Sequence, residues 1–305
     1  MVVTGRGALP RRCVGAGALA GALAGVALPS AGAGAQAVKS VKAAQATVAP
    51  PGAVVALRLR PRAGDTLHLR FEQTVAGGAA TARPSRLLSS MVVLSRSVVE
   101  RSDAEGSVVV AHTDSVELRM AGVAPEALAR TRKEMQGRAT RMRVAPDGAM
   151  RWLQEGRTAG KQSAGGTALG LPGALPAMAV AVGTSWTRTM PLPWTDGAAV
   201  RAGAEAPRLE VVFRLDSVGR GGTLAFVSMR GRLLAASGSG VRVGAASVVG
   251  GKADGQLRLD LGRGWVTDSR VDFALDLLPP AGVAAPGAPA PAPMRVVVSQ
   301  RLVAR

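Results

Sequence analysis

The stretch RLEVVFRLDSVGRGGTLAFVSMRGRLLA (208–235) and its continuation QLRLDLGRGWVTDSRVDFALDLL (256–278) decide the fold. Apolar and polar residues alternate along both, and glycine-containing turns interrupt the alternation. A period of two broken by Gly turns is the mark of half-buried antiparallel strands. Trp265, Val271, Phe273, Leu275 and Leu277 fall on one face, which reads as core. Asp268, Asp272 and Asp276 read as a solvated strand face rather than as a calcium site.

The same grammar extends upstream. Val55, Leu57 and Leu59 alternate with Arg58 and Arg60, so residues 54–60 read as a strand. After a turn at Gly64 and Asp65, Leu67, Leu69, Phe71 and Gln73 oppose Thr66, His68, Arg70 and Glu72. Residues 86–101 and 107–120 are two long strands about the turn SDAEG. The period then changes over 125–136, where Pro125 suits a first helical position, Glu126 the positive end and Gly137 the exit. Leu128 and Met135 share a face of this short amphipathic helix. RMRVAPDGAMRWL (141–153) is a hairpin about Asp147 and Gly148. Residues 76–85, 156–170 and 195–206 read as loops. Pro172 and Pro176 break any helix in LPGALPAMAVAVGTSW (171–186), which reads as a turn leading into a strand at 184–190. The Pro/Ala segment 279–293 is an extended linker, and MRVVVSQRLVA (294–304) is a closing strand. The expected fold is therefore mainly β, a curved antiparallel sheet or half-barrel with one short helix. It divides into two rhyming halves, 54–170 and 171–305.

The N-terminus reads as a targeting segment. Arg6, Arg11 and Arg12 precede an apolar run from Cys13 to Pro29, and Ala35-Gln36-Ala37 gives a small-x-small cleavage pattern before Val38. Residues 1–37 are thus a signal peptide and 38–53 a flexible lead-in. The run is short and rich in Gly and Ala, which speaks against a retained membrane helix. Cys13 is the only cysteine, and it opens the apolar run instead of closing it as a lipoprotein cysteine does. The expected location is periplasmic or secreted, with no disulfide to stabilise the fold.

The chain has 305 residues and a formal net charge of +18, yet Lys stands only at 39, 42, 133, 161 and 252. The arginines are spread over alternate strand positions, with no basic run interleaved with aromatics, so specific nucleic-acid binding is not expected. Attraction to an anionic envelope surface is compatible with this charge. Aromatic residues are 3% and Tyr is absent, which argues against the aromatic girdles of an outer-membrane barrel. With two His and one Cys, no metal site and no cofactor are expected.

Four residues are candidates for ligand binding. On strict alternation His112 and Asp114 share a face with Val108, Val110, Val116, Leu118 and Met120, and would line a cavity. A bulge between Ala111 and Ser115 would instead turn both outward. Met120 and Trp152 are the apolar candidates. No Ser, Cys or third group completes a catalytic unit around His112 and Asp114, so no catalytic residue is assigned and a hydrolase is the weakest reading.

Leu175-Pro176, Val180, Val182-Gly183 and Trp186 form an LP…VxVGxxW connector. In this the chain resembles a group of uncharacterised exported bacterial β-proteins. More distantly, the long meander with a short helix is similar to the lipoprotein-carrier half-barrels, which fold a sheet around a helix-plugged apolar cavity. The resemblance transfers no catalytic residue; it implies a concave face for acyl chains. The expected function is a non-enzymatic envelope protein that binds a lipid or other apolar ligand in the sheet's concavity. The alternative is an interaction protein that grips an anionic envelope polymer through its Arg-rich face.

Overall fold

The structure is a computed structural model that describes residues 54–79, 86–153, 173–192, 208–234, 241–243, 246–278 and 293–305. The segments 1–37 and 38–53, read above as a signal peptide and lead-in, those at 156–170 and 195–206, read as loops, and all but the last residue of 279–293, read as a linker, lie outside the described residues.

In chain order the elements are β1 (Val54–Val55), β2 (Thr66–Ala79), β3 (Arg86–Asp103), β4 (Gly106–Met120), α1 (Pro125–Met135), β5 (Ala139–Val144) and β6 (Met150–Trp152). There follow β7 (Val180–Ala181), β8 (Ser185–Pro191), β9 (Arg208–Gly219), β10 (Leu224–Leu234), β11 (Val241–Val243), β12 (Ala246–Asp260), β13 (Trp265–Leu278) and β14 (Met294–Ala304). One large antiparallel sheet runs β6-β5-β4-β3-β2-β14-β13-β12-β10-β9-β8, with β11 pairing on β12. The two sequence halves meet in this sheet through the last strand, because β14 pairs with β2 on one side and β13 on the other.

Hydrogen bonds across the ends show that the sheet is rolled. Leu59 N donates to Pro146 O in the β5–β6 turn at 2.8 Å, and Arg60 N donates to Gly264 O in the β12–β13 turn at 2.9 Å. Six strand spacings separate those turns, about 29 Å in a flat sheet. Two adjacent residues can reach both only if the sheet curls around them. Gly264 makes the approach feasible: it sits at φ +63°, and a Cβ there would lie 2.5 Å from the Arg60 carbonyl oxygen. Residues 174 and 175 tie the sheet edges together in the same way. Leu175 N donates to Asp147 O at 3.0 Å. On the other side, Trp186 Nε1 donates to Ala174 O at 2.7 Å and Arg188 to Leu175 O at 2.8 Å, both from edge strand β8. The result is a half-barrel whose gap is bridged by a connector and not by strand pairing. The short β1–β7 pair lies beside it, with Gly183 N bonded to Leu215 O of β9.

The core is the inner face of this roll. Leu57 and Leu59 are buried against it, with Leu69, Phe213, Leu215, Phe273 and Trp265 among the cluster. The 54–60 stretch thus buries the side its alternation indicates, but only Val54 and Val55 are strand; residues 56–61 cross the mouth of the roll as an irregular plug. β12 provides room where the walls close, because a Cβ on Gly255 would lie 2.5 Å from Arg270 O.

The helix forms as its sequence dictates, with Pro125 in the first turn, Glu126 at the positive end and Arg132 and Lys133 in the last turn. It carries no buried residue and packs on β4, where Leu128, Thr131 and Met135 are half-buried. The lipoprotein-carrier resemblance implied a helix inside the sheet. In this structure the interior is filled instead by Leu57, Leu59, Ala174 and Leu175.

Candidate functional site

The register separates the four sequence candidates. Ser95 faces Thr113 and Leu94 faces Ser115, so Asp114 is an extra residue in β4 with no partner on β3. This bulge splits the face predicted by strict alternation. Val110 and His112 fall on the outer face, with the fully buried Val108 on the same side and His112 lying between Arg96 and Ala139, while Val116, Leu118 and Met120 point inward. Asp114 is exposed, and its carbonyl accepts a hydrogen bond from Gln136 Nε2 at 3.2 Å. His112 and Asp114 therefore do not line the concavity; the bulge turns both outward.

Met120 and Trp152 do reach the inner face, at opposite ends. Trp152 pairs with Met142 at edge strand β6 and packs against the core. Met120 pairs with Ser89, roughly 35 Å further along β4 at the usual rise per residue. The structure does not bring the four residues together.

What it does assemble is a patch on the inner face of β2, β3 and β4, away from the plug. The register aligns Phe71, Val93 and Val116 in one row, Gln73, Met91 and Leu118 in the next, and Val75, Ser89 and Met120 in the third. Phe71 and Val116 are buried, and the remaining side chains of these rows are half-buried. The inner face is thus covered at the plugged end and only partly covered here. Two of the apolar groups are methionines, whose flexible thioethers adapt to irregular ligands.

One polar pair interrupts the patch. Gln300 lies opposite Gln73, and its Nε2 donates to Gln73 Oε1 at 3.1 Å. Gln300 is 3% exposed, and its own Oε1 has no hydrogen-bond partner. Sequence alternation already places Gln73 on the apolar face. Gln300 could have been found the same way, as the polar member of Val296, Val298, Gln300 and Leu302.

At the plugged end a small cavity remains between Leu59 and Leu175 on one side and Met229, Leu257, Ser269 and Val271 on the other. It leaves ≈ 20 Å³ for the centres of water-sized molecules, room for about one water and far too little for a lipid.

Charge is organised on the outer surface. Arg141 pairs with Glu100 at 2.7 Å, Arg143 with Asp103 at 3.0 Å and Glu105 at 3.1 Å, Arg232 with Glu210 at 2.9 Å, and Arg295 with Asp276 at 2.8 Å. Arg70 pairs with Glu72. Desolvation pushes the Asp103 carboxyl up, but hydrogen bonds from Arg143 and the Glu105 amide, with the charges of Arg143 and Arg101, outweigh it. The group is held below its ordinary 3.8. The bond to Asp276 and its charge raise Arg295 above its usual range. Among the described residues, no group of three or more His, Cys, Asp or Glu gathers closely enough to hold a metal ion, and no helix is long and apolar enough to cross a membrane.

No family model matches the chain, and no curated protein matches it. Among solved structures the chain is similar to DynF from the dynemicin biosynthesis pathway of Micromonospora chersina. The identity is 9%, over 87% of this chain and 92% of that one, and the TM-score is 0.21. A likeness of that size carries no argument about function.

Proposed function

We propose that this chain is a non-enzymatic, exported envelope protein that binds a lipid or other apolar ligand on the concave face of its sheet. The observation that carries this reading is the half-covered apolar surface formed by Val75, Met91, Val93, Leu118 and Met120 on the inner side of a rolled sheet. Folding normally hides such side chains on the concave side of a roll, and contiguous uncovered apolar surface marks a binding face. The opposite end is filled by Leu57, Leu59 and Leu175, so an apolar ligand would enter at the β2–β4 end. Export rests on Arg6, Arg11 and Arg12, the apolar run behind them, and the Ala35-Gln36-Ala37 pattern.

The test is native mass spectrometry on the full chain expressed with its signal and recovered from the envelope fraction. The expected spectrum shows a chain starting at Val38 with a reproducible lipid-mass adduct that Met120→Lys removes. Absence of any adduct across preparations would overturn the binding half, and recovery only of the uncleaved chain in the cytoplasm would overturn the export half.

The second reading, attachment to an anionic envelope polymer, is favoured by Arg270 and Arg301, which stand side by side on the outer face of β13 and β14. Lipopolysaccharide binding that fails to weaken between low and high salt would count against it.

A further inference from the structure

We infer that the outer face of β2, β3 and β4 docks on an anionic lipid bilayer, with a grip that strengthens as pH falls from 8 to 5. This goes beyond ligand binding on the concave face and uses the opposite side of the sheet. The chain has two histidines, and the register brings them to either side of one arginine. His112 of β4 lies opposite Arg96 of β3, and Arg96 lies opposite His68 of β2. His68 stands between the buried Leu67 and Leu69, and Arg96 precedes the buried Ser97, so the row faces outward. It spans two strand spacings, about 10 Å. That is about one Debye length at 0.1 M salt, so its charges act together on a facing surface.

The row escapes the pairing that neutralises nearby arginines. Arg141 is held by Glu100, Arg143 by Asp103 and Glu105, and Arg70 by Glu72. Among the described residues no carboxylate pairs with His68, Arg96 or His112. Around His112, β5 sets Ala139 opposite and Arg141 two residues on, and β4 itself adds the bulged Asp114. The last turn of α1 carries Arg132, Lys133 and Glu134 and reaches β4 where Gln136 bonds to the Asp114 carbonyl. Around His68, β2 adds Arg70, and β14 adds Arg305, whose amide donates to His68 O at 2.8 Å. Arg305 closes the sequence, so its charge is not counted in the row. Like charges directly opposite one another destabilise a sheet, and a facing anionic surface relieves that repulsion. Histidine is the side chain that gains its charge between pH 8 and pH 5. A site that holds anions through that charge is strong at the acidic end and weakens as pH rises.

The bilayer is argued from the apolar groups beside the row. Val98 and Val110 face each other on one side of it, and Leu94 and Val303 flank Arg70 on the other. All four are only half-buried although they point away from the core. The solvated face of an antiparallel sheet is normally polar. Cations set among uncovered apolar groups suit the head-group layer of a membrane, where phosphates meet the cations and the apolar groups enter the interface. A soluble polyanion would gain nothing from Leu94 or Val98, and the outward positions of these strands hold no aromatic for a base to stack on.

The experiment is co-sedimentation of the full chain with vesicles of phosphatidylglycerol and phosphatidylcholine in equal parts, at pH 5.5 and 8.0 and constant salt. Wild type should bind at least about five-fold more tightly at pH 5.5, on the order of five-fold for each added charge. His68→Asn/His112→Asn should erase that difference, and Arg96→Gln should weaken binding about five-fold at both pH values. Arg214→Gln, at an exposed arginine on the outer face of β9, is the control and should stay within about two-fold. Leu94→Ser should weaken vesicle binding several-fold by removing apolar contact. These side chains are exposed or half-exposed, and melting temperatures near wild type verify that each variant folds. Equal binding at the two pH values, a difference that survives the double histidine variant, or a loss in Arg214→Gln as large as in Arg96→Gln overturns the docking face. A Leu94→Ser variant that binds vesicles as wild type does overturns the bilayer as occupant and leaves a soluble polyanion. The apolar fluorophore N-phenyl-1-naphthylamine, aimed at the concave face, should be unaffected by these substitutions; its failure to bind wild type would count against the concave-face reading and leave the outer-face docking standing.

Discussion

Replacing Leu59 by Ala tests whether the irregular stretch at 56–61 closes the roll. Leu59 is 3% exposed and belongs to the core cluster. The change removes three carbons, about 2.4 kcal/mol of burial at about 0.8 kcal/mol per methylene. A void term is added, because the neighbourhood has little freedom to collapse. The Leu59 backbone is fixed to Pro146 O at 2.8 Å, its neighbour Arg60 to Gly264 O at 2.9 Å, and the side chain already borders the ≈ 20 Å³ cavity. At about 24 cal/mol per Å³ of residual void, the total reaches roughly 3–4 kcal/mol. Equilibrium urea unfolding followed by tryptophan fluorescence is the assay. With a urea m-value of about 3 kcal/mol/M, the upper end for small proteins, the midpoint should fall by about 1 M. Leu87→Ala, at a residue 54% exposed, serves as the control and should move stability by less than about 0.5 kcal/mol. A Leu59→Ala loss below about 1 kcal/mol, matching that control, would mean that residues 56–61 lie on a sheet that stays rolled without them.

Gly255→Ala should destabilise the fold by about 1–3 kcal/mol in the same urea assay, because its Cβ would lie 2.5 Å from Arg270 O and 3.1 Å from Val271 Cα, both backbone atoms; a neutral result would show that β12 and β13 are less closely apposed. Asp103 is held below its ordinary 3.8 in the fold, so its contribution is present above the unfolded value and is lost as pH falls through the folded one. Arg143→Met should therefore unfold at lower urea than wild type at pH 7, with the gap closing as pH falls below the ordinary 3.8, and a gap independent of pH would refute the pairing. His112→Ala should leave N-phenyl-1-naphthylamine binding unchanged because the side chain points outward, whereas Met120→Lys should weaken it at least ten-fold by placing a charge on the concave face. A reversed order in that fluorescence titration would place the apolar site on the outer side of β4.

Local grammar was readable wherever one residue's conformation sufficed to specify it. The helix from Pro125 and the strands β3, β4, β8 and β14 each carry their own signal, and the structure places them within two residues of the predicted bounds, whereas β2 runs on through Gly77 and Gly78 to Ala79 and β12 begins at Ala246, ten residues before the alternation at Gln256. Faces were readable only between bulges. Glu100, Asp114 and Asp216 are each an extra residue against the neighbouring strand, as are Leu88, Val249 and Thr267, and in sequence each looks like any other member of its strand. One inserted residue exchanges inside for outside for the rest of the strand. That exchange moved His112 away from Met120 and dissolved the candidate pair with Asp114. The roll was beyond sequence for a different reason. Leu59, Arg60 and Leu175 close it on one side through backbone amides that every residue carries, and although the Trp186 and Arg188 side chains close the other side, neither residue names its carbonyl partner in the sequence. Gly264 is the partial exception, since only a residue without a Cβ permits the Arg60 carbonyl to approach so closely. The Gln73–Gln300 pair falls between these cases: each glutamine is conspicuous on its own apolar face, but their meeting depends on β14 returning to the centre of the sheet beside β2. A polar residue out of pattern on a buried face is therefore the signal worth following from sequence, with the pairing of strands left to the structure.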